Sequence, residues 1–101
     1  MDTKRDRIIE IIADVFNVSK DFHKSMDKKR KYVYPKKALV LVLYGKEEMT
    51  FADISKFLGY NTHCTAMHHY NDGNDLWDTS ESFKEKMEYI IDKANQIYYN
   101  K

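Results

Sequence analysis

The sequence predicts an all-α fold, a compact multi-helix domain that contains a helix-turn-helix. Apolar residues recur at helical spacing along most of the chain. Only residues 38–44 could be read as a strand, and no second candidate strand exists to pair with them. In the middle of the chain, a short helical segment, a glycine and a second helical segment follow one another, which is the order of a helix-turn-helix.

The size and composition of the chain predict a single domain over residues 1–101. A chain of 101 residues can build one hydrophobic core but not two. No apolar run approaches the roughly 18 residues that a membrane span needs, and the first ten residues lack the apolar segment of a signal peptide. The single cysteine, Cys64, excludes an internal disulfide. Together these features predict a cytoplasmic protein, and a nucleoid-associated one if it binds DNA.

The first part of the chain predicts one amphipathic helix followed by irregular structure. Residues 4–16 carry a single apolar stripe, which is typical of a helix with one buried face. Asn17 or Ser19 should end this helix, and a short helical turn is expected around Phe22. Residues 26–34 combine lysines, an arginine and tyrosines, and we expect them to form a basic loop.

A central helix is predicted from Pro35 to Lys46. Proline is favoured in the first turn of a helix, where its missing N–H has no partner to lose. The run "ALVLVLY" at residues 38–44 is ambiguous between a buried strand and a buried helix. We interpret it as a helix that is apolar nearly all round, as the central helix of a bundle must be.

The helix-turn-helix is predicted between residues 50 and 71. Thr50 and Asp53 form a capping-box-like start to a short helix that Gly59 should end. Asn61 or Thr62 should cap a second helix, which runs to about Asn71.

The remainder of the chain predicts a turn and a long final helix. The sequence "NDGND" at residues 71–75 is typical turn chemistry. Residues 78–80 offer capping side chains for a helix whose apolar stripe has 4-3-4-3 spacing and should close over the first helix. The stripe consists of Phe83, Met87, Ile90, Ala94 and Ile97.

Charge is strongly segregated along the chain, although the net charge is only +1. Residues 20–37 contain eight basic and two acidic residues, whereas residues 72–101 contain seven acidic residues and four lysines. A bound phosphate responds to the charges close to it rather than to the net charge of the chain, so such segregation is compatible with a nucleic-acid partner.

Residues 28–69, "KKRKYVYPKKALVLVLYGKEEMTFADISKFLGYNTHCTAMHH", resemble the C-terminal DNA-binding domain (domain IV) of the bacterial replication initiator DnaA. That family has a basic loop, an Arg-Pro-Arg/Lys sequence, a central helix and the signature "S-x-x-x-I-G-x-x-F-G-G-R-D-H-T-T-V-x-H-A". The positions that match are Arg30, Pro35, Ile54, Leu58, Gly59, His63, Thr65 and His68. The resemblance implies a Trp-repressor-like helix-turn-helix fold and double-stranded DNA binding. It places residues 62–71 in the major groove and Arg30 in the adjacent minor groove.

The chain departs from the family signature at the residues that help to read bases. Asn61 and Thr62 stand where the family has Arg-Asp, Tyr60 replaces the second glycine of the signature, and Cys64 replaces its first threonine. The resemblance therefore implies that the docking mode is kept, while the target sequence need not be the family's initiator box.

The candidate DNA contacts fall into a basic group and a base-reading group. Lysines at the start of a helix oppose its macrodipole, and a bound phosphate would favour them there. Asn61 suits bidentate pairing with adenine, and Thr65 can contact a thymine methyl group. Alternatively, the lysines form an ordinary solvated surface, Ala66 and Met67 face the core, and His68 is a half-buried histidine. The candidates are Lys28, Lys29, Arg30, Lys31, Lys36, Lys37, Thr50, Asn61, Thr62, His63, Thr65 and His68.

A metal site and an enzyme are both disfavoured. Cys64 and His68 have the i, i+4 spacing of two zinc ligands, but a structural zinc site needs four converging ligands and no second cysteine exists. No G-x-x-x-x-G-K-[ST] sequence is present, and no catalytic constellation stands out. We therefore predict no metal, no cofactor and no enzymatic activity.

Two functions follow from these observations. The first is sequence-specific duplex binding at replication-origin-like or regulatory sites, as in small phage or mobile-element proteins. The alternative is an interaction module that keeps the fold without reading bases and contacts a replication or transcription protein. Its contact surface would be the acidic last helix and the Tyr98-Tyr99 end, which could also form a weak homodimer.

Overall fold

The computed structural model describes residues 3–24 and 30–99, and their secondary structure is helical, with no strand among these residues. The predicted all-α fold is thereby confirmed. The elements in chain order are α1 (Thr3–Phe16), a 3-10 turn (Phe22–Lys24), α2 (Arg30–Lys46), α3 (Phe51–Leu58), α4 (His63–Thr79) and α5 (Glu81–Tyr99).

Helix α1 ends where the sequence predicts. Asn17 adopts a left-handed conformation with φ of 57°, which asparagine tolerates better than most residues. The N–H of Val18 then donates to the carbonyl of Ala13 at 2.9 Å and closes the helix end. Ile8 and Ile12 are fully buried in the core, where α1 packs against α2 and α5.

Helix α2 runs through the centre of the domain. Every residue from 38 to 43 is buried, so the helical interpretation of this apolar run is confirmed. The expected start of this helix was wrong. It begins at Arg30, so residues 30–34 are helical rather than part of a loop, and Pro35 lies inside the helix. Tyr32 and Tyr34 pack against the core from the added turns, and this burial favours continuing the helix upstream of the proline.

Helix α4 is longer than predicted, and the turn expected at residues 71–75 was wrong. The helix continues without interruption to Thr79. Gly73 is buried against α2, and a Cβ atom at this position would lie 2.9 Å from Leu41 Cδ1. The glycine therefore permits a close approach between two helices rather than a chain reversal.

Helix α5 closes the core as predicted. Phe83, Met87, Ile90 and Ala94 are buried, and Ile97 packs against the same core from a partly buried position. Ser80 caps the helix through its Oγ, which accepts a hydrogen bond from the N–H of Phe83 at 3.3 Å. Among the described helices, none is both long enough and apolar enough to cross a membrane.

Candidate nucleic-acid interface

The turn between α3 and α4 is built by the residues that the sequence singled out. Thr50 is the N-cap of α3, and its Oγ1 accepts a hydrogen bond from the N–H of Asp53 at 3.1 Å. Gly59 ends α3 in the left-handed conformation with φ of 79°, where a residue with a Cβ would be strained. The N–H of Tyr60 donates to the carbonyl of Ser55 at 2.8 Å and fixes the chain as it leaves the helix.

Ser55 connects the end of this turn back to α3. Its hydroxyl is buried in α3 and donates to the carbonyl of Thr62 at 2.9 Å. Ile54 and Leu58 of α3 lie in the same buried cluster as Ala66 of α4. The two helices are therefore held in a fixed relation by a shared core and by one buried hydrogen bond across the turn.

The N-terminal half of α4 presents an exposed face to solvent. His63, Cys64, Met67, His68 and Asn71 are all exposed, and at about 100° per residue they fall within one arc of the helix. The expectation that Met67 faces the core was wrong, because 38 % of its surface is exposed. His68 is likewise exposed rather than half-buried, whereas Ala66 is buried as expected.

The start of α4 lacks the side-chain cap that the sequence predicts. Thr62 occupies the N-cap position, but its side chain makes no capping hydrogen bond. The N–H groups of the first helical turn point out of this end of the helix, so an anion placed there could accept from them.

A cleft of about 640 Å³ lies between α2, the turn at residues 59–62 and the first turns of α4. Its walls bring together residues that are far apart in sequence, because α2 packs against α4. Five of the predicted DNA contacts line the cleft: Lys36, Lys37, Asn61, Thr62 and Thr65. Sequence reasoning did not find Tyr60, His69 and Asp72, which line it as well.

The two lysines of the cleft differ from expectation in their position and surroundings. They lie in the second turn of α2 rather than at a helix start, so the macrodipole argument for a phosphate at these lysines was wrong. Lys36 is only 5 % exposed. Lys37 places its Nζ 3.2 Å from Asp72 Oδ2 of α4 and 5.8 Å from the centre of the Tyr34 ring.

His69 and Tyr60 form the neutral part of the cleft. Burial, reinforced by the charges of Lys37 and Lys36, lowers the pKa of His69 to about 4, so this histidine is uncharged at neutral pH. Its ring lies 5.6 Å from the ring of Tyr60. Burial raises the pKa of Tyr60 to about 12, and its hydroxyl is buried with no hydrogen-bond partner among the described residues.

The other predicted contacts lie away from the cleft or outside the described residues. His63 and His68 lie on the exposed face of α4, and Thr50 is exposed at the start of α3. The Thr50 hydroxyl is already used as a cap. Residues 25–29, which include Lys28 and Lys29, lie outside the described part of the chain, as do the side chains of Arg30 and Lys31.

The structure brings no set of potential metal ligands together among the residues it describes. No group of three or more His, Cys, Asp or Glu side chains could hold a metal ion there. Cys64 is a free, exposed thiol. The absence of a metal remains a prediction.

Comparison with known proteins shows that the sequence is similar to part of a replication initiator. It is 30 % identical over 79 residues to the chromosomal replication initiator protein DnaA of Ureaplasma parvum serovar 3. The matched region covers 78 % of this chain but only 17 % of that protein, so the chain spans less than a fifth of the curated relative it matches. No family model matches the chain, and no solved structure matches it. The similarity supports a DnaA-like relationship.

Proposed function

We propose that this protein binds double-stranded DNA sequence-specifically through α3, the turn at residues 59–62 and α4, in the manner of the C-terminal domain of DnaA. The observation that carries the proposal is the cleft, because cationic side chains line it together with the side chains that we propose to read bases. Lys36 and Lys37 come from α2, whereas Asn61, Thr62 and Thr65 come from the turn and the start of α4. The similarity to DnaA, a chromosomal replication initiator, supports the same conclusion.

The proposed docking puts the N-terminal end of α4 into the major groove. A B-DNA major groove, about 12 Å wide, admits one helix. The first two turns of α4 expose His63, Cys64, Met67 and His68, with no acidic residue among them, whereas Asp75 and Asp78 are exposed further along. A phosphate backbone would repel these two carboxylates, so α4 enters the groove by its N-terminal end.

Base reading is assigned to the turn and the first turn of α4. Asn61 and His63 are exposed beside the cleft mouth and the helix start, where side chains of a recognition helix reach base edges. Asn61 would pair with adenine and Thr65 would contact a thymine methyl group. Because Asn61 and Thr62 replace the Arg-Asp of the family signature, we expect a target that differs from the initiator box.

Phosphate contacts are assigned to the basic residues around the start of α2. Lys36 and Lys37 would contact the backbone from the cleft, and Lys28, Lys29 and Lys31, which precede them in the sequence, are further candidates. Arg30 is assigned to the minor groove by the resemblance to DnaA. The biological role would be occupancy of origin-like or regulatory sites.

In vitro selection from a random duplex pool, followed by binding titrations at several salt concentrations, tests this function. We expect one enriched motif and a log K that falls with log salt, with a slope of about −0.9 for each phosphate neutralised. Asn61→Ala and Thr65→Ala should each relax preference at one base position at a cost of about 1–3 kcal/mol. An unselective pool with salt-independent binding would reject the proposal.

A second candidate function is a protein-interaction module that uses α5. Tyr89 and Tyr99 are 52 % and 64 % exposed on this helix, beside exposed acidic residues such as Glu85 and Glu88. Replacing residues 28–31 by alanine separates the two functions, since it should weaken duplex binding and leave a contact through α5 intact. Lys84→Ala, an exposed lysine of α5, serves as the control for the loss of positive charge in the DNA assay.

A further inference from the structure

The ion pair between Lys37 and Asp72 crosses the cleft that the proposed function assigns to DNA. Its Nζ and Oδ2 atoms are 3.2 Å apart, and the two side chains are unequally covered, at 12 % exposure for Lys37 and 56 % for Asp72. The carboxylate therefore stands at the open side of the cleft, and the ammonium lies deeper. A negatively charged group that approaches Lys37 from solvent meets Asp72 first.

Apart from the Lys37–Asp72 pair, the titratable groups that line the cleft are two uncharged rings and one buried lysine. His69 is neutral, and Tyr60 keeps its proton. Lys36 is the second cation of the cleft and is 5 % exposed. Asp72 is the only carboxylate among the residues that line the cleft, and it is paired with Lys37.

We propose that Asp72 is an intramolecular stand-in for a DNA backbone phosphate. In the free protein its carboxylate is paired with the ammonium group of Lys37. When DNA binds, a backbone phosphate, which is also negatively charged, must replace that carboxylate as the partner of Lys37. This inference rests on the proposed function and adds a regulatory element to it. Asp72 lowers the affinity for every duplex whose phosphate enters the cleft. It also makes the dependence of log K on log salt less steep.

The salt dependence follows from which ions leave on binding. A lysine that is open to solvent gathers salt anions and displaces phosphate counterions when it binds, which steepens the dependence of log K on log salt. Lys37 is already neutralised by a carboxylate of the same chain, so exchanging that partner for a phosphate releases fewer salt ions into solution. Removing Asp72 should therefore raise both the affinity and the steepness of the salt dependence.

The experiment compares Asp72→Asn with the wild-type protein in duplex-binding titrations from low to moderate salt. We expect Asp72→Asn to bind about fivefold more tightly at low salt, since exposed ion pairs are worth up to about 1 kcal/mol, and its slope to steepen by about one. Asp78→Asn is the matched control, because it removes the same charge from an exposed position on the same helix. It should change neither quantity.

The same comparison in a Lys37→Gln background isolates the pair. There, Asp72→Asn should give no gain, because the ammonium group whose pairing with Asp72 competes with phosphate is already gone. Circular dichroism of each variant confirms that it is folded.

Each outcome decides between the proposals. If the wild type binds DNA and Asp72→Asn gives no gain, this inference fails and the proposed function stands. A gain that Asp78→Asn reproduces, or that persists without Lys37, reduces the effect to net charge and also overturns the inference. If neither protein binds any duplex, the proposed function fails and the inference fails with it.

Discussion

Gly73 of α4 lies so close to Leu41 of α2 that a Cβ atom at position 73 would be 2.9 Å from Leu41 Cδ1. Carbon atoms in contact are normally about 3.5–4.0 Å apart. The missing side chain therefore sets how closely these two helices approach. The same two helices form walls of the cleft, so this contact deep in the core also bears on the width of the candidate interface.

Gly73→Ala should destabilise the protein by about 1 kcal/mol, because overpacking costs about 1–3 kcal/mol and the gain in helix propensity returns only about 1 kcal/mol. Gly45→Ala is the control, since Gly45 is also helical but a Cβ atom added there would have no neighbour within 4 Å. That substitution should stabilise by about 0.5–1 kcal/mol. Urea unfolding measures both. Equal stability of the two variants would contradict the close-approach explanation.

The burial of His69 predicts that stability falls in mild acid. The pKa of His69 is about 4 in the folded protein, against an ordinary value of 6.5, so between these values the unfolded chain binds the proton more tightly. The stability that comes from keeping this histidine neutral is complete above pH 6.5 and is lost as the pH falls toward 4. The difference in proton binding between the two states should lower the free energy of unfolding by about 2 kcal/mol between about pH 7.5 and pH 5.

His69→Phe keeps a ring against Tyr60 and removes the titrating group. Its free energy of unfolding should depend much less on pH over the same interval, as measured by denaturant titrations at several pH values. His23, whose pKa is also lowered by burial and by Lys24, should contribute the slope that remains. A variant that keeps the full wild-type slope would show that His69 titrates normally in the fold.

Cys64 offers a direct test of which face meets DNA. It is exposed at the second position of α4 and is the only cysteine of the sequence, so a maleimide should label a single site. With a duplex present at about ten times its Kd, labelling should slow about tenfold, because only the free protein reacts. A Cys64→Ser protein that also carries Ser82→Cys on α5 is the control, and DNA should leave its labelling rate unchanged. Equal protection of both positions would argue against docking through α4.

Arg5 should contribute more to stability than a surface ion pair. Its guanidinium donates to both carboxylate oxygens of Glu47, at 2.9 and 3.2 Å, and lies 4.8 Å from the centre of the Phe57 ring. Arg5→Lys loses the bidentate contact with Glu47 and the stacking on Phe57. It should lower the free energy of unfolding by about 1 kcal/mol, as measured by thermal unfolding. Lys20→Gln breaks the exposed pair with Glu10 and should cost less than about 0.5 kcal/mol. A smaller loss for Arg5→Lys than for Lys20→Gln would refute this ranking.

Much of the fold could be predicted because three helices, α1, α3 and α5, carry a single apolar stripe, and local signals mark the end of α1, both ends of α3 and the start of α5. The two errors arose where local signals met long-range packing. The "NDGND" sequence has turn chemistry, but contact with Leu41 holds Gly73 inside a helix. Pro35 has the chemistry of a first turn, but core contacts of Tyr32 and Tyr34 extend the helix before it. Propensity is a weak prior that tertiary contacts override.

The candidate site was predictable for the residues that lie near the turn and less so for the others. Asn61, Thr62 and Thr65 could be named from the order of helix, glycine and helix. Asp72 could not, because the sequence placed it in a turn, and only the continuation of α4 past residue 71 brings it across from Lys37. Once α4 continues to Thr79, the i, i+4, i+7 spacing of Thr65, His69 and Asp72 puts all three on one face of the helix.

Helix α2 is surrounded by α1, α3, α4 and α5 and by the 3-10 turn, and residues 38–43 are buried on all sides. Such a helix has no polar face that water can solvate, so it is not stable once the surrounding helices no longer pack against it. The domain is therefore expected to unfold as one cooperative unit, with no stable half-folded form. The amide hydrogens of α2 should exchange with solvent only when the entire domain opens, which makes their exchange rate a direct gauge of global stability.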